Sequence, residues 1–201
     1  MSIATICTCA PYPCFRVFSK AETLKALELL NRAIALDPDN GPALALATSC
    51  HRTIVLYGWS DDPDSNRRQG LELASRALKA AGDDATVLAS VANDLAFLKQ
   101  DAHAAVAIVD RAIALNPGSA NVWFNSGFVR LLAGDLDLAV EHLENATRLD
   151  PTGPSRGARM LYTAVARFYQ HRSVADRPIP VIRRVKVAAR KPPLGVALAE
   201  S

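Results

Sequence analysis

The sequence predicts an all-α protein, an antiparallel helix-pair solenoid with about three full repeats and an orphan helix at each end. Three observations carry that prediction. An eight-residue phrase recurs four times, as NRAIALDP at 31–38, SRALKAAG at 75–82, DRAIALNP at 110–117 and ENATRLDP at 144–151. The starts lie 44, 35 and 34 residues apart, and a near-constant period of this size marks helical units that stack on their neighbours. Alanine and leucine dominate a chain that is 50% hydrophobic but only 6% aromatic, which favours helix over strand.

Taken in order, residues 1–18 hold Cys7 and Cys9 before, and Cys14 after, the pair Pro11 and Pro13, and the prolines oppose helix. A disordered leader is expected there. The Cys-x-Cys spacing has no second ligand pair and the nearest histidine is His51, so no metal site is expected. No positive residue precedes the apolar part, which argues against a secretory signal. No apolar run approaches the roughly 18–20 residues that span a bilayer. A cytoplasmic protein with no membrane partner and no cofactor is the expectation.

The solenoid is expected over 19–171. Its first helix is 19–36, with Ser19 as N-cap and Glu22 as its capping-box partner, and with Leu24, Leu27, Leu30, Ala33 and Ile34 on one stripe. Asp37-Pro38 ends it, because the residue before proline leaves the helical region. The next helix, 42–58, has Pro42 in its first turn, where the missing N–H costs nothing, and it closes at Gly58. Cys50 and His51 sit about 100° apart on that helix and cannot share a metal, so Cys50 reads as a buried structural thiol. Residues 59–69, WSDDPDSNRRQ, read as a longer surface loop, with Asp64 or Ser65 capping the helix that runs to Ala81.

Thereafter the breaks are short, and the spacing predicts helices at Ala85–Leu98, Ala102–Leu115, Ala120–Ala133, Leu136–Leu149 and 154–170. Turns of two to four residues force consecutive helices to pack antiparallel. Residues 172–201 break the pattern. They carry Arg172, Arg177, Arg183, Arg184, Lys186, Arg190 and Lys191 against only Asp176 and Glu200, so the net charge of +3 comes largely from this tail. It reads as disordered or as an interaction arm. The repeat body is slightly acidic, which argues against a nucleic-acid surface on the solenoid.

Small residues recur where helices must come close. Ala33, Ala77, Ala112 and Ala146 stand five residues before the punctuating Pro38, Gly82, Pro117 and Pro151; Ala26, Gly70, Ala105 and Ala139 stand twelve before. Overpacking either row should cost about 1–3 kcal/mol. Leu36, Leu115 and Leu149, just before the turns, are expected to pack each second helix against the next first helix. No phosphate loop, Ser–His–Asp set, HExxH or CxxC pair is present. His103, His142 and His171 are expected at the surface, and the Asp83-Asp84 and Asp135/Asp137 pairs at helix starts, where they favour the dipole.

On these residues the chain resembles the tetratricopeptide repeat family over about 21–170. The third unit carries the likeness best, with Trp123, Gly127, Ala139, Ala146 and Pro151 at the family's large, small and turn positions. A narrower resemblance, resting on YGWSDDP at 57–63 and GDDA at 82–85, is to the repeat region found C-terminal to class III adenylate or guanylate cyclase domains in bacteria. That resemblance implies a regulatory module without its output domain, and a truncated or frame-shifted gene product.

The family resemblance further implies a non-catalytic scaffold that receives a protein or peptide in a concave groove. The matching groove positions are Ser49, Arg52, Asp94, Phe97, Phe128, Leu131 and Tyr162, although Phe97, Phe128 and Leu131 read equally well as core. Two alternatives stand beside it: nucleic-acid binding through the basic arm at 172–191, and a free-standing adaptor. The last helix has no partner to cover Leu161, Val165 and Phe168, so a homodimer through that helix is expected.

Overall fold

The computed structural model describes residues 19–99 and 101–170; the expectations for the leader, for His171 and for the basic tail lie outside them. Within the described residues there are eight helices and no strand: α1 (Lys20–Leu36), α2 (Gly41–Tyr57), α3 (Pro63–Ala80), α4 (Ala85–Leu98), α5 (Ala102–Leu115), α6 (Ala120–Ala133), α7 (Leu136–Leu149) and α8 (Arg156–Gln170). The fold is a solenoid of adjacent helix pairs, as the period requires. The pairs α2/α3, α4/α5 and α6/α7 are complete, with α1 and α8 as single helices at the ends.

Local chemistry starts and stops each helix. Ser19 caps α1 and closes the reciprocal box with Glu22, satisfying two donors that the first turn leaves unpaired. Asn40, Asp84, Asp101 and Ser119 cap α2, α4, α5 and α6 through side-chain oxygens. Gly58 ends α2 at φ 67°, a left-handed conformation that a side chain disfavours. Helix α3 starts earlier than the sequence suggests: Asp62 is its N-cap, Pro63 its first residue, and Asp62 accepts from the Ser65 N–H. The extra residues of the first repeat are thus mostly helix, since α2 and α3 run 17 and 18 residues against 14 in the later pairs. Helix α8 begins at Arg156 rather than 154.

Two layers result. The first helices of successive pairs, α2, α4 and α6, touch one another in turn, while no two second helices share a comparable contact. The layer that stays in contact is the inner, concave one. Between layers the small residues do what the repeat requires: Ala77, Ala112 and Ala146 are fully buried, as are Gly70, Ala105 and Ala139. Ala26 and Ala33, their equivalents in α1, are only half-buried, because α1 lacks a first helix in front of it among the described residues.

The turns between repeats are closed differently from expectation. Leu36, Leu115 and Leu149 are 80%, 40% and 37% exposed, so they do not pack one repeat on the next. Polar reach replaces them. The arginine of the recurring phrase extends back to the preceding turn: Arg76 Nη2 donates to the Pro38 carbonyl at 3.0 Å, and Arg111 Nη2 to the Gly82 carbonyl at 2.9 Å and to Asp83 at 2.8 Å. In the third repeat Asn145 stands in the arginine's place. There Trp123 Nε1 donates to the Pro117 carbonyl at 2.7 Å instead.

Trp123 is half-buried, with its ring edge-on to His142 at 4.8 Å. Trp123→Ala should therefore cost about 2–4 kcal/mol in urea unfolding, from lost packing and one lost turn hydrogen bond. A loss below about 1 kcal/mol would show that the Pro117 turn is held by other contacts.

Candidate functional site

The inner layer presents one side chain after another from α2, α4, α6 and α8, and the expected groove residues separate into three groups. Ser49 and Arg52, one turn apart on α2, converge on Asp94 of α4. Ser49 Oγ donates to Asp94 Oδ2 at 2.6 Å, and Arg52 Nε pairs with Asp94 Oδ1 at 2.5 Å. Asp94 is 1% exposed. Burial pushes its carboxyl above the usual range, against the pull of Arg52 and Ser49. The arginine and the aspartate are thus a neutralised clasp between two inner helices, not free charges offered to a ligand.

Phe97 and Leu131 form the second group, and the structure removes them from the groove. Phe97 is 3% exposed in a cluster with Leu98, Val55, Leu56, Leu71 and Leu132. Leu131 is 2% exposed among Leu136, Ala139 and Ala166. Both are core, because the rotation of their helices turns these positions into the packing between neighbouring helices rather than to the open face.

Phe128 and Tyr162 are the third group. Both are half-buried, with ring centroids 4.7 Å apart and tilted by 56°, and Tyr162 also meets the buried Phe124 at 6.0 Å. They make an aromatic shelf where α6 meets α8.

Sequence reasoning missed what lies between clasp and shelf. Asn93 Nδ2 donates to Asn125 Oδ1 at 2.8 Å, and Asn125 Nδ2 donates to the Asn121 carbonyl and side chain, each at 2.9 Å. This amide ladder crosses from α4 to α6. Asn93 Oδ1 is buried with no donor within the described residues, and such an acceptor is costly unless something supplies a proton. The available signal was asparagine in mid-helix, where its propensity is poor.

Chemically reactive-looking groups prove to be structural. The Cys50 thiol is pushed up to about 12 by burial and by nearby Asp94, so it carries no thiolate. His51 is buried against Asn66, its Nδ1 2.9 Å from Asn66 Oδ1. His142, expected at the surface, is 7% exposed, with Nδ1 2.9 Å from Ser126 Oγ. It faces inward because α7 presents this position to α6. Burial, then the neighbouring Arg130, holds its basicity down. Ser126 is completely buried, so no substrate reaches that serine–histidine pair. Arg130 itself is 8% exposed and bridges Asp110 at 2.5 Å and Asp135 at 3.8 Å. His103 is exposed as expected. Among the described residues no group of three His, Cys, Asp or Glu side chains could hold a metal, and no helix is long and apolar enough to cross a membrane.

A tetratricopeptide repeat family model matches residues 120–152, the stretch that contains α6 and α7. No curated protein matches the chain. Among solved structures the chain is similar to the crystal structure of MamA, at 18% identity over 85% of each chain with a TM-score of 0.51. It is also similar to the crystal structure of YrrB, a TPR protein with an unusual peptide-binding site, at 18% identity over 84% of this chain and 78% of that one, TM-score 0.48. At such identities the likeness concerns the fold.

Proposed function

We propose that this chain is a non-catalytic protein-interaction scaffold that holds an extended, largely uncharged peptide segment of a partner along its inner helices. The observation that carries the reading is the run of unlike features on one layer: a neutralised Arg52–Asp94 clasp, the Asn93–Asn125–Asn121 amide ladder and the Phe128–Tyr162 shelf. Amides suit a peptide backbone and aromatic faces suit an apolar side chain. A clasp whose charges already cancel gives little attraction for an acidic tail. The finer setting we propose, a regulatory module of a bacterial cytoplasmic signalling protein such as one bearing a class III cyclase domain, rests on the resemblance at residues 57–63 and 82–85.

Peptides selected from a random display library on the full chain provide the test. Phe128→Ala should weaken the selected peptides by about 10-fold or more in calorimetric titration, with little change between low and high salt. Peptides that bind Phe128→Ala as well as wild type, or that lose affinity steeply with salt, would place recognition elsewhere. Steep salt dependence would favour the basic arm and a nucleic-acid partner instead.

A further inference from the structure

We propose that the two ends of the solenoid are complementary, and that copies of this chain stack head to tail with α8 of one copy and α1 of the next forming a composite helix pair. Helix α1 is of the second type and packs on α2 but has no first helix before it within the described residues, whereas α8 is of the first type and packs on α7 but has no second helix after it. On α1 the face that would meet a first helix holds Ala26 and Ala33, half-buried where their equivalents are sealed. On α8 the face that would meet a second helix holds Met160 and Leu161, 57% and 46% exposed, at the positions where α6 carries buried Ser126 and Gly127.

An independent observation concerns the turn latch. Within the chain each repeat's turn carbonyl, at Pro38, Gly82 and Pro117, accepts a side-chain donor from the following pair. Pro151 is the fourth such carbonyl; Arg159 of α8 donates to the adjacent Asp150 carbonyl, and no hydrogen bond from the described residues reaches the Pro151 carbonyl itself. Arg32 is the motif arginine equivalent to Arg76 and Arg111; it is exposed and makes no hydrogen bond or ion pair with the described residues. In a head-to-tail junction a second copy's Arg32 reaches the Pro151 turn just as Arg76 reaches Pro38. One end holds the spare donor and the other the spare acceptor. Leu161 is bulkier than Gly127, so the composite pair stands wider than an internal one and the junction is reversible. Because the contact is heterologous, growth is open-ended rather than stopping at a dimer.

Sedimentation velocity on the full chain, from low micromolar to near-millimolar, tests this. Wild type should grow through dimer and trimer with concentration. Arg32→Glu blocks only the α1 end, by setting a carboxylate towards Asp150, and Leu161→Glu blocks only the α8 end. Both sites are exposed, so both variants should keep wild-type circular dichroism. Each alone should be monomeric, its dissociation constant raised by about 10-fold or more. An equimolar mixture should form a dimer and nothing larger, since one free end of each kind remains. A wild type that stays monomeric throughout would mean that the ends are covered within one chain, and it overturns the proposal. So would dimers that survive Arg32→Glu but not Leu161→Glu, which is the pattern of symmetric α8–α8 pairing, or a mixture that stays monomeric.

Discussion

Arg52→Met should destabilise the protein by about 3–5 kcal/mol near neutral pH, because it leaves the Asp94 carboxylate buried without its counter-charge. Asp94 is 1% exposed, and burial already raises its pKa while Arg52 opposes the rise. Without the guanidinium the folded-state pKa climbs further above the ordinary carboxylate range of the unfolded chain. Between those two values the folded form keeps a proton that the unfolded form has lost, so stability falls as pH rises through the window. The penalty should therefore be large at about pH 8 and smaller at about pH 5 in urea unfolding. Arg52→Met/Asp94→Leu should recover most of the loss, since an apolar pair of similar volume carries no desolvated charge. A small, pH-independent loss in the single variant would mean that Asp94 is already protonated beside Arg52.

Gly127→Val should destabilise by about 3 kcal/mol or more through overpacking. A Cβ at this position lies 2.7 Å from Leu143 Cγ and 3.1 Å from the Leu143 backbone nitrogen. The backbone contact cannot be relieved by a rotamer change, so α6 and α7 would have to separate. The other repeats show the compensation that nature uses at this height of the pair. Ala92 stands with Val109 and Thr48 with Ala74 at the equivalent positions, all buried. Gly127→Val/Leu143→Ala should then lose clearly less than the sum of its two single substitutions, a favourable coupling typical of residues sharing one space. Strictly additive losses would mean that the two side chains do not compete for that volume.

Much of the fold was legible because its causes are local. Helix α1 begins at the Ser19/Glu22 box, α2 closes at Gly58, and the four helices from α4 to α7 have the bounds their caps and short turns predict. The exception is instructive. Asp62, Asp64 and Ser65 are all good caps, and Pro63 decides among them because it is at home in a first turn. The groove was much less legible. Adjacent helical residues differ by about 100°, so naming Asp94 but not Asn93, or Leu131 but not Phe124, is a matter of helix rotation that no local signal sets. Leu36, Leu115 and Leu149 erred for the same reason, and His142 looked superficial because the partner that buries it is on another helix.

What the sequence determined by itself is the period, the caps and the small residues that let one helix lie close to the next. Those are the near-neighbour terms of a quasi-one-dimensional stack, and each is written within about 34 residues. Only the tertiary structure decided which side of each helix faces the inner layer, that Arg52 and Asp94 cancel each other, that an amide ladder links α4 to α6, and that Arg76 and Arg111 latch the turns behind them. Those pairings depend on the angle and rotation at which whole helices settle, and packing across the layers sets both.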